Sequence, residues 1–396
     1  MRVVHVSLDP GVPVFGGKGC SVHVQEVLRV LVAAGHDVHL VTTRLGGPAP
    51  AGLEAVTVHP LDLPGGRSRA ERETDLRAAD ARAGRVVAAL VASAPGEVLV
   101  YERYALFACT AQETARALGV ASVLEVNAPL PLEQARHRAL ADAAGAEETT
   151  RRAVAAAARV VAVSSAVGRW VSSVHGGTEV VVVPNGVDTA RFAPSPPGPD
   201  RVRPEVVRIA FVGAFRPWHG VDLLVEAAGR LAARPGPEVE LLLVGDGPGR
   251  PAALARAGEL GLRVDAPGAL DPADVPARLA AADVAVAPYP VGGGYFSPLK
   301  VAEYLACGVA TVAGAVGDLA STYRDGEELL LVEPGDVDAL TAALQRLRRD
   351  PARRAGLAAA GRLAVVRRGT WQRVVDRSLA GLAPGRGRGR DSEVAA

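Results

Sequence analysis

Residues 192–205 read FAPSPPGPDRVRPE, and residues 207–215 read VRIAFVGAF. The first stretch is proline-rich with few apolar side chains, the composition of a linker rather than of a packed element. The second is apolar on both faces, as a strand buried between two helix layers must be. Such runs recur on both sides of the linker, alternating with longer Ala/Leu/Arg stretches of helical period. Before it stand RVVHVSL (2–8), DVHLVTT (37–43), EVLVYER (97–103), ASVLEVN (121–127), RVVAVS (159–164) and EVVVVPN (179–185). After it come EVELLLVG (238–245), DVAVAPYP (283–290), VATVAGA (309–315) and ELLLVEP (328–334). The pattern predicts an α/β protein of two doubly wound, Rossmann-like domains facing each other across a cleft. The predicted bounds are 1–191, a linker at 192–205, and 206–368. A helix follows at about 369–382, and the polar tail 383–396 reads as disordered.

Composition narrows the class. The 396 residues are 49% hydrophobic and 22% charged, the balance of a folded protein. Forty-four basic against 43 acidic residues give a net charge of +1, so no bulk field points at nucleic acid. Cys20, Cys109 and Cys307 stand far apart and make neither a disulfide framework nor a metal cluster, which predicts a cytoplasmic compartment. No apolar run approaches the ~18 residues that span a bilayer, though peripheral membrane contact stays open. Only two of the 44 basic residues are lysines, Lys18 and Lys300, and both sit in glycine-rich loops that run into helices.

In open parallel sheets, ligands bind where strand ends pass into helices. One such loop is DPGVPVFGGKGCS (9–21), ahead of the helix VHVQEVLRVLVAAG (22–35). It is like a Walker loop, but Gly11 to Lys18 is one residue too long and Gly19 stands where Ser or Thr belongs, so an ATPase is rejected. What remains is either a plain loop or a Gly16–Gly17 turn whose amides can approach an anion, with Ser21 as helix N-cap.

The other loop is PVGGGYFSPLKVAEYLACG (290–308). Ser297 reads as an N-cap, Pro298 as the first helical residue and Gly308 as the helix end. Lys300 then lies in the first turn, where the helix dipole disfavours a cation by roughly 0.3–1 kcal/mol. An anion reverses that sign. Glu303 lies on the same helix face and can accept hydrogen bonds from neutral hydroxyls. A phosphate flanked by hydroxyls describes a nucleoside diphosphate; a surface Lys–Glu pair is the plain alternative.

The strings PNGVDTARFAP (184–194), FVGAFRPWHGVDLLVEA (211–227), VGDGP (244–248) and SPLKVAEYLACGVATVAG (297–314) together resemble glycosyltransferase family 4, enzymes of the GT-B fold. The resemblance runs from Gly16–Gly17 to about residue 380. It implies a nucleotide-sugar donor held by the second domain and a small-molecule or glycan acceptor held by the first. It also implies retention of anomeric configuration, no metal, no separate cofactor, and a last helix that crosses back to the first domain. Residue by residue, the second glutamate of the family's paired-glutamate motif falls on Glu303, at the ribose, whereas the first falls on Tyr295. The diphosphate-binding Arg and Lys fall on Ala214 and His219, with Arg216 two residues along. Gly213, Phe296, Ser297, Pro298 and Leu299 complete the expected donor surface, and Ala269, at the end of RVDAPGAL (263–270), is its base-facing residue. The first-domain histidine of the family falls on Asn127. Lys18, His23, Arg103, Glu125 and Asn127 are the expected acceptor-side residues.

The hard step in glycosyl transfer is departure of the diphosphate. Lys300, Arg216 and the helix amides beside them would stabilise its growing charge, with Glu303 fixing the ribose. A nucleotide-sugar epimerase of the same fold and a non-catalytic sugar-nucleotide-binding protein are the rival readings. A nicotinamide enzyme is not, because GGKGCS lacks the GxGxxG spacing.

Overall fold

The computed structural model describes residues 1–65, 68–137, 140–195, 205–292, 297–382 and 385–386. Its first half runs β1 (Arg2–Ser7), α1 (Gly19–Ala33), β2 (Asp37–Thr42), β3 (Thr57–Pro60), α2 (Arg69–Ala92), β4 (Glu97–Arg103), α3 (Thr110–Leu118), β5 (Ala121–Val126), α4 (Leu130–His137), α5 (Ala143–Ala156), β6 (Arg159–Ala162), α6 (Ser165–Val174) and β7 (Val180–Val182). The second half runs β8 (Val206–Val212), α7 (Val221–Ala232), β9 (Glu238–Val244), α8 (Arg250–Glu259), β10 (Arg263–Gly268), α9 (Val275–Ala280), β11 (Val284–Ala287), α10 (Leu299–Ala306), β12 (Ala310–Gly314), α11 (Leu319–Thr322), β13 (Leu330–Val332), α12 (Val337–Arg349) and α13 (Pro351–Arg368). Then come α14 (Trp371–Leu379) and the two-residue β14 (Gly385–Arg386).

Two compact units result, Met1–Pro184 with Val374–Ala396, and Asn185–Arg373. The first sheet has the order β3-β2-β1-β4-β5-β6-β7 and the second β10-β9-β8-β11-β12-β13. All these neighbours pair in parallel, so both sheets are doubly wound with one reversal of strand order, at β1/β4 and at β8/β11.

The proline-rich stretch is not where the units divide. Asn185 through Phe192 belong to the second unit because their backbone is bound into it. The Val187 N–H donates to Gly369 O (2.8 Å), and the Arg362 guanidinium donates to the carbonyls of Thr189 (2.9 Å) and Phe192 (2.7 Å). Residues 196–204 of the expected linker lie outside the described residues. The polar tail also departs from expectation, since Gly385–Arg386 pairs antiparallel with Val98 and Glu97. Main-chain pairing needs no apolar side chains, which is why composition missed it; the other residues of 383–396 lie outside the described residues.

Strand alternation explains the apolar runs of the second unit. Val207, Ile209, Phe211, Leu241, Leu243, Val284 and Val286 pack on one face with α7 and α12 residues. Ala210, Leu242, Ala285, Ala287 and Ala313 pack on the other with Val301, Tyr304 and Leu305 of α10. Small alanines on that face let α10 lie close to the sheet, so residues of α10 reach the ends of β8 and β11. In the first unit the faces differ in polarity. Val4, Val6, Val98 and Val100 join an apolar cluster, while alternate residues His5, Ser7, Tyr101, Arg103 and Glu125 occupy the opposite face and are polar.

Candidate functional site

In the second unit the strand order reverses between β8 and β11, which puts the loops after those strands at the place where parallel sheets bind ligands. α10 enters from the β11 side. It ends as the sequence predicts, with Gly308 in the left-handed region (φ 67°). It does not begin as predicted. Pro298, not Ser297, is the N-cap (φ −77°, ψ 106°), and no side chain caps the helix. The Ser297 hydroxyl is engaged elsewhere: it accepts from the Asn185 N–H (2.9 Å), while Asn185 Nδ2 donates to Ser297 O (2.8 Å). Further along, the Tyr304 hydroxyl accepts from Val212 N–H (2.9 Å) and donates to Val212 O (3.2 Å), fastening α10 to the end of β8.

Lys300, second residue of α10, points at the residue after Val212. A Cβ added to Gly213 would lie 2.9 Å from Lys300 Nζ and 3.3 Å from His219 Nδ1, so only glycine leaves that space open. Lys300 Nζ is buried, 4.6 Å from the Phe211 ring centroid and 5.6 Å from that of Tyr289. Aromatic faces attract an ammonium but do not replace its hydrogen bonds. Among the described residues neither Lys300 Nζ nor His219 Nδ1 has a hydrogen-bond partner. Burial pulls the Lys300 ammonium down to about 7 against the opposing pull of Glu303, one turn along α10. Burial, then Lys300, then Arg216 push the His219 imidazole down to about 3. His219 ends a short 3-10 turn, Pro217–His219, after which Gly220 turns left-handed (φ 64°) where a Cβ would strike Pro288 O. Arg216, exposed, lies over the Trp218 ring at 5.9 Å. Lys300 and His219 thus crowd one place, Lys300 held down by burial and His219 by burial and by the charges of Lys300 and Arg216. An anion there would relieve both.

The other residues expected on the donor side are placed by their elements. Leu299 opens α10, Glu303 is half-buried, and Ala269 is exposed just beyond β10. Tyr295 and Phe296 lie outside the described residues.

The polar face of the first unit holds a second constellation. β-Pairing sets Ser7, Arg103 and Glu125 in one row and His5 and Tyr101 in the next. The buried Glu125 carboxylate meets His23 Nε2 (2.7 Å), Asn127 Nδ2 (2.6 Å) and Arg103 NH1 (3.5 Å) at Oε1, and the Tyr101 hydroxyl (2.5 Å) at Oε2. Burial pushes this carboxyl up, but His23, Arg103 and Tyr101 overcome it and hold Glu125 well below the usual carboxylate range. Burial pushes Tyr101 far up, reinforced by Glu125, with Ser378 of α14 as a further hydrogen-bond partner. His5, stacked on Tyr101 with centroids 5.4 Å apart, is pulled by burial down to about 4. Glu125, expected on the acceptor side, has donors on both oxygens and gathers His23, Arg103 and Asn127 around itself.

Near the opening loop, α1 begins at Gly19, and Lys18 is its N-cap with no side-chain bond. Ser21 is therefore inside the first turn and caps nothing. Lys18 Nζ reaches Gly11 O at 3.3 Å. The Gly16–Gly17 turn is tied down by Gln25, whose Nε2 donates to Val14 O and Gly16 O, both at 2.8 Å. Sequence reasoning passed over Gln25, His5, Tyr101 and Ser378, and gave Asn185 no role. A glutamine on the buried side of an otherwise apolar helix was the one available signal, for Gln25. Among the described residues no group of three His, Cys, Asp or Glu side chains could hold a metal ion, and no helix is long and apolar enough to cross a membrane.

Residues 17–191 match the family model described as Glycosyltransferase Family 4, and residues 206–350 that described as Glycosyl transferases group 1. A D-inositol 3-phosphate glycosyltransferase of Thermomonospora curvata is 30% identical over 409 residues, covering 95% of this chain and 93% of that protein. A GDP-mannose-dependent alpha-(1-6)-phosphatidylinositol monomannoside mannosyltransferase of Mycolicibacterium smegmatis is 34% identical over 224 residues, 53% of this chain and 57% of that protein. The chain spans about half the length of several curated relatives that it matches in this way. Among solved structures, sucrose-phosphate synthase from Thermosynechococcus elongatus shares the fold with a TM-score of 0.72 and 21% identity, covering 94% of this chain and 96% of that one. Anabaena HepE in complex with UDP has a TM-score of 0.67 and 18% identity, covering 96% of this chain and all of that one, 100%.

Proposed function

The chain belongs to glycosyltransferase family 4, with its two Rossmann-like GT-B domains, and from that premise we propose that it transfers a sugar from a nucleoside-diphosphate donor to an acceptor hydroxyl with retention of anomeric configuration. The single observation that carries the reading is the convergence of Lys300 Nζ and His219 Nδ1 on the open space at Gly213, buried and without partners among the described residues. A diphosphate supplies the charge and the acceptor atoms that this place lacks. Arg216, exposed at the same loop, adds a third donor, and Glu303 takes the ribose hydroxyls.

In this proposal the second unit holds the nucleotide sugar and the first, with Lys18, His23, Arg103 and Asn127, holds the acceptor. Glu125, its carboxyl held low and already accepting from Asn127 and Tyr101, orients these donors rather than taking a proton. The acceptor's proton goes to the departing phosphate on the same face of the sugar. Negative charge grows on that phosphate as the anomeric C–O bond breaks, and Lys300 and His219 stabilise it more strongly then than in the ground state. The names of the relatives supply the first compounds to try: GDP-mannose and UDP-glucose as donors, inositol phosphates as acceptors, in an enzyme working in the cytoplasm.

Incubation with each donor, with and without acceptor, followed by assay of free nucleoside diphosphate and of the product's anomeric configuration, tests the reading. Acceptor-dependent release with retention is expected. Donor conversion without release would point to an epimerase, and tight binding without turnover to a sugar-nucleotide-binding protein.

A further inference from the structure

The PNGVD string marks the place where the chain enters the second unit, and nothing above gives its asparagine a task. Asn185 is the first residue of that unit. It makes two bonds to one distant residue, N–H to Ser297 Oγ at 2.9 Å and Nδ2 to Ser297 O at 2.8 Å. Ser297 immediately precedes the N-cap of α10, and α10 has no side-chain cap of its own. Its N-cap is a proline, whose side chain offers no acceptor to the first-turn N–H groups. The entry angle of the helix is therefore set from outside, by Asn185.

Asn185 is itself held firmly. A Cβ on the next residue, Gly186, would lie 2.7 Å from Trp371 N, and Val187 is bridged to Thr370 and bonded to Gly369 O. A two-point clamp on a fixed anchor transmits position, whereas one bond from a loose loop would not. Lys300 lies three residues beyond Ser297, and its Nζ must reach a space bounded within 2.9 Å by the Gly213 Cβ position.

We infer that Asn185 is a positioning residue for the anion site, setting the start of α10 so that Lys300 meets the diphosphate; this rests on the nucleotide reading given above. The side chain must be an amide, because the carboxylate of an aspartate would face the Ser297 carbonyl with no donor to offer.

A double-mutant cycle on binding of UDP and of GDP by the full chain, measured calorimetrically, tests this. Asn185→Ala should weaken binding by about 5- to 10-fold in the wild-type background and by less than about twofold alongside Lys300→Ala. Ser297→Ala, which deletes one bond and spares the other, should produce a smaller loss with the same dependence on Lys300. It also decides the matter if Asn185→Ala does not fold. Equal losses in both backgrounds, or no loss from either substitution, would overturn the role of Asn185 while leaving the nucleotide site standing. Failure of wild-type protein to bind either diphosphate would overturn that site, and the inference with it.

Discussion

Lys300 Nζ and His219 Nδ1 flank one point in space, 2.9 and 3.3 Å from where a side chain on Gly213 would begin, and neither has a hydrogen-bond partner among the described residues. Two buried nitrogens so placed cost folding energy and gain nothing until an anion arrives. In the proposed function this cost in stability is what binding of the diphosphate offsets.

That cost should be measurable. The Lys300 ammonium is pulled from 10.5 down to about 7, so between those values the unfolded chain binds more protons and stability rises with pH. The penalty is fully present below about pH 7 and gone above about 10.5. Lys300→Met keeps the aliphatic packing and removes the charge. Its Tm without ligand should exceed that of wild type by about 2–4 °C at pH 6–7, with the gap closing towards pH 10. A lower Tm at pH 6 would show that Lys300 has a structural partner.

Glu102 offers the same logic with the opposite sign. It lies on the apolar face of β4, beside Asp80, and burial, then Asp80, push its carboxyl up to about 8. The folded chain keeps this proton between about pH 4.5 and 8 while the unfolded chain loses it, so stability falls as pH rises through that window. Glu102→Gln should be neutral at pH 4 and stabilise by about 1–3 kcal/mol at pH 8. Denaturant melts at the two pH values check it.

In the proposed site Glu303 takes the ribose and not the phosphates. Glu303→Ala should weaken binding of a nucleoside diphosphate by about tenfold, the loss of one or two charge-assisted hydrogen bonds, yet leave inorganic pyrophosphate affinity within about twofold. An equal loss for both ligands would place Glu303 at the phosphates instead.

Much of this was readable from sequence. Short β-branched strands alternating with helical stretches pointed to both doubly wound sheets, although in the first unit one sheet face is polar. Lys300 stood out because a cation in a first helical turn makes poor sense without an anion. What failed were features that one chain segment hides from another. Ser297 has the residue type of an N-cap, but a partner 112 residues away takes its hydroxyl, and local preference cannot register that competition. Ser21 failed for a nearer reason: α1 starts three residues earlier than its apolar period suggests, at Gly19. Glu125 was correctly placed at a strand end, yet its four partners come from β4, α1 and the loop after β5, so only the folded sheet discloses how fully it is engaged. Thr57–Pro60 was missed as a strand because four residues with a terminal proline carry almost no period.

Calorimetric titration of UDP and GDP at pH 8, in two buffers of different ionisation enthalpy, tests the central claim most directly. A diphosphate seated between Lys300 and His219 restores the Lys300 proton, so wild-type binding should take up about half to one proton. Lys300→Met should bind at least about tenfold more weakly and take up correspondingly fewer protons. Equal affinity and equal proton uptake in wild type and Lys300→Met would contradict the account, because the diphosphate would then lie somewhere other than at Gly213.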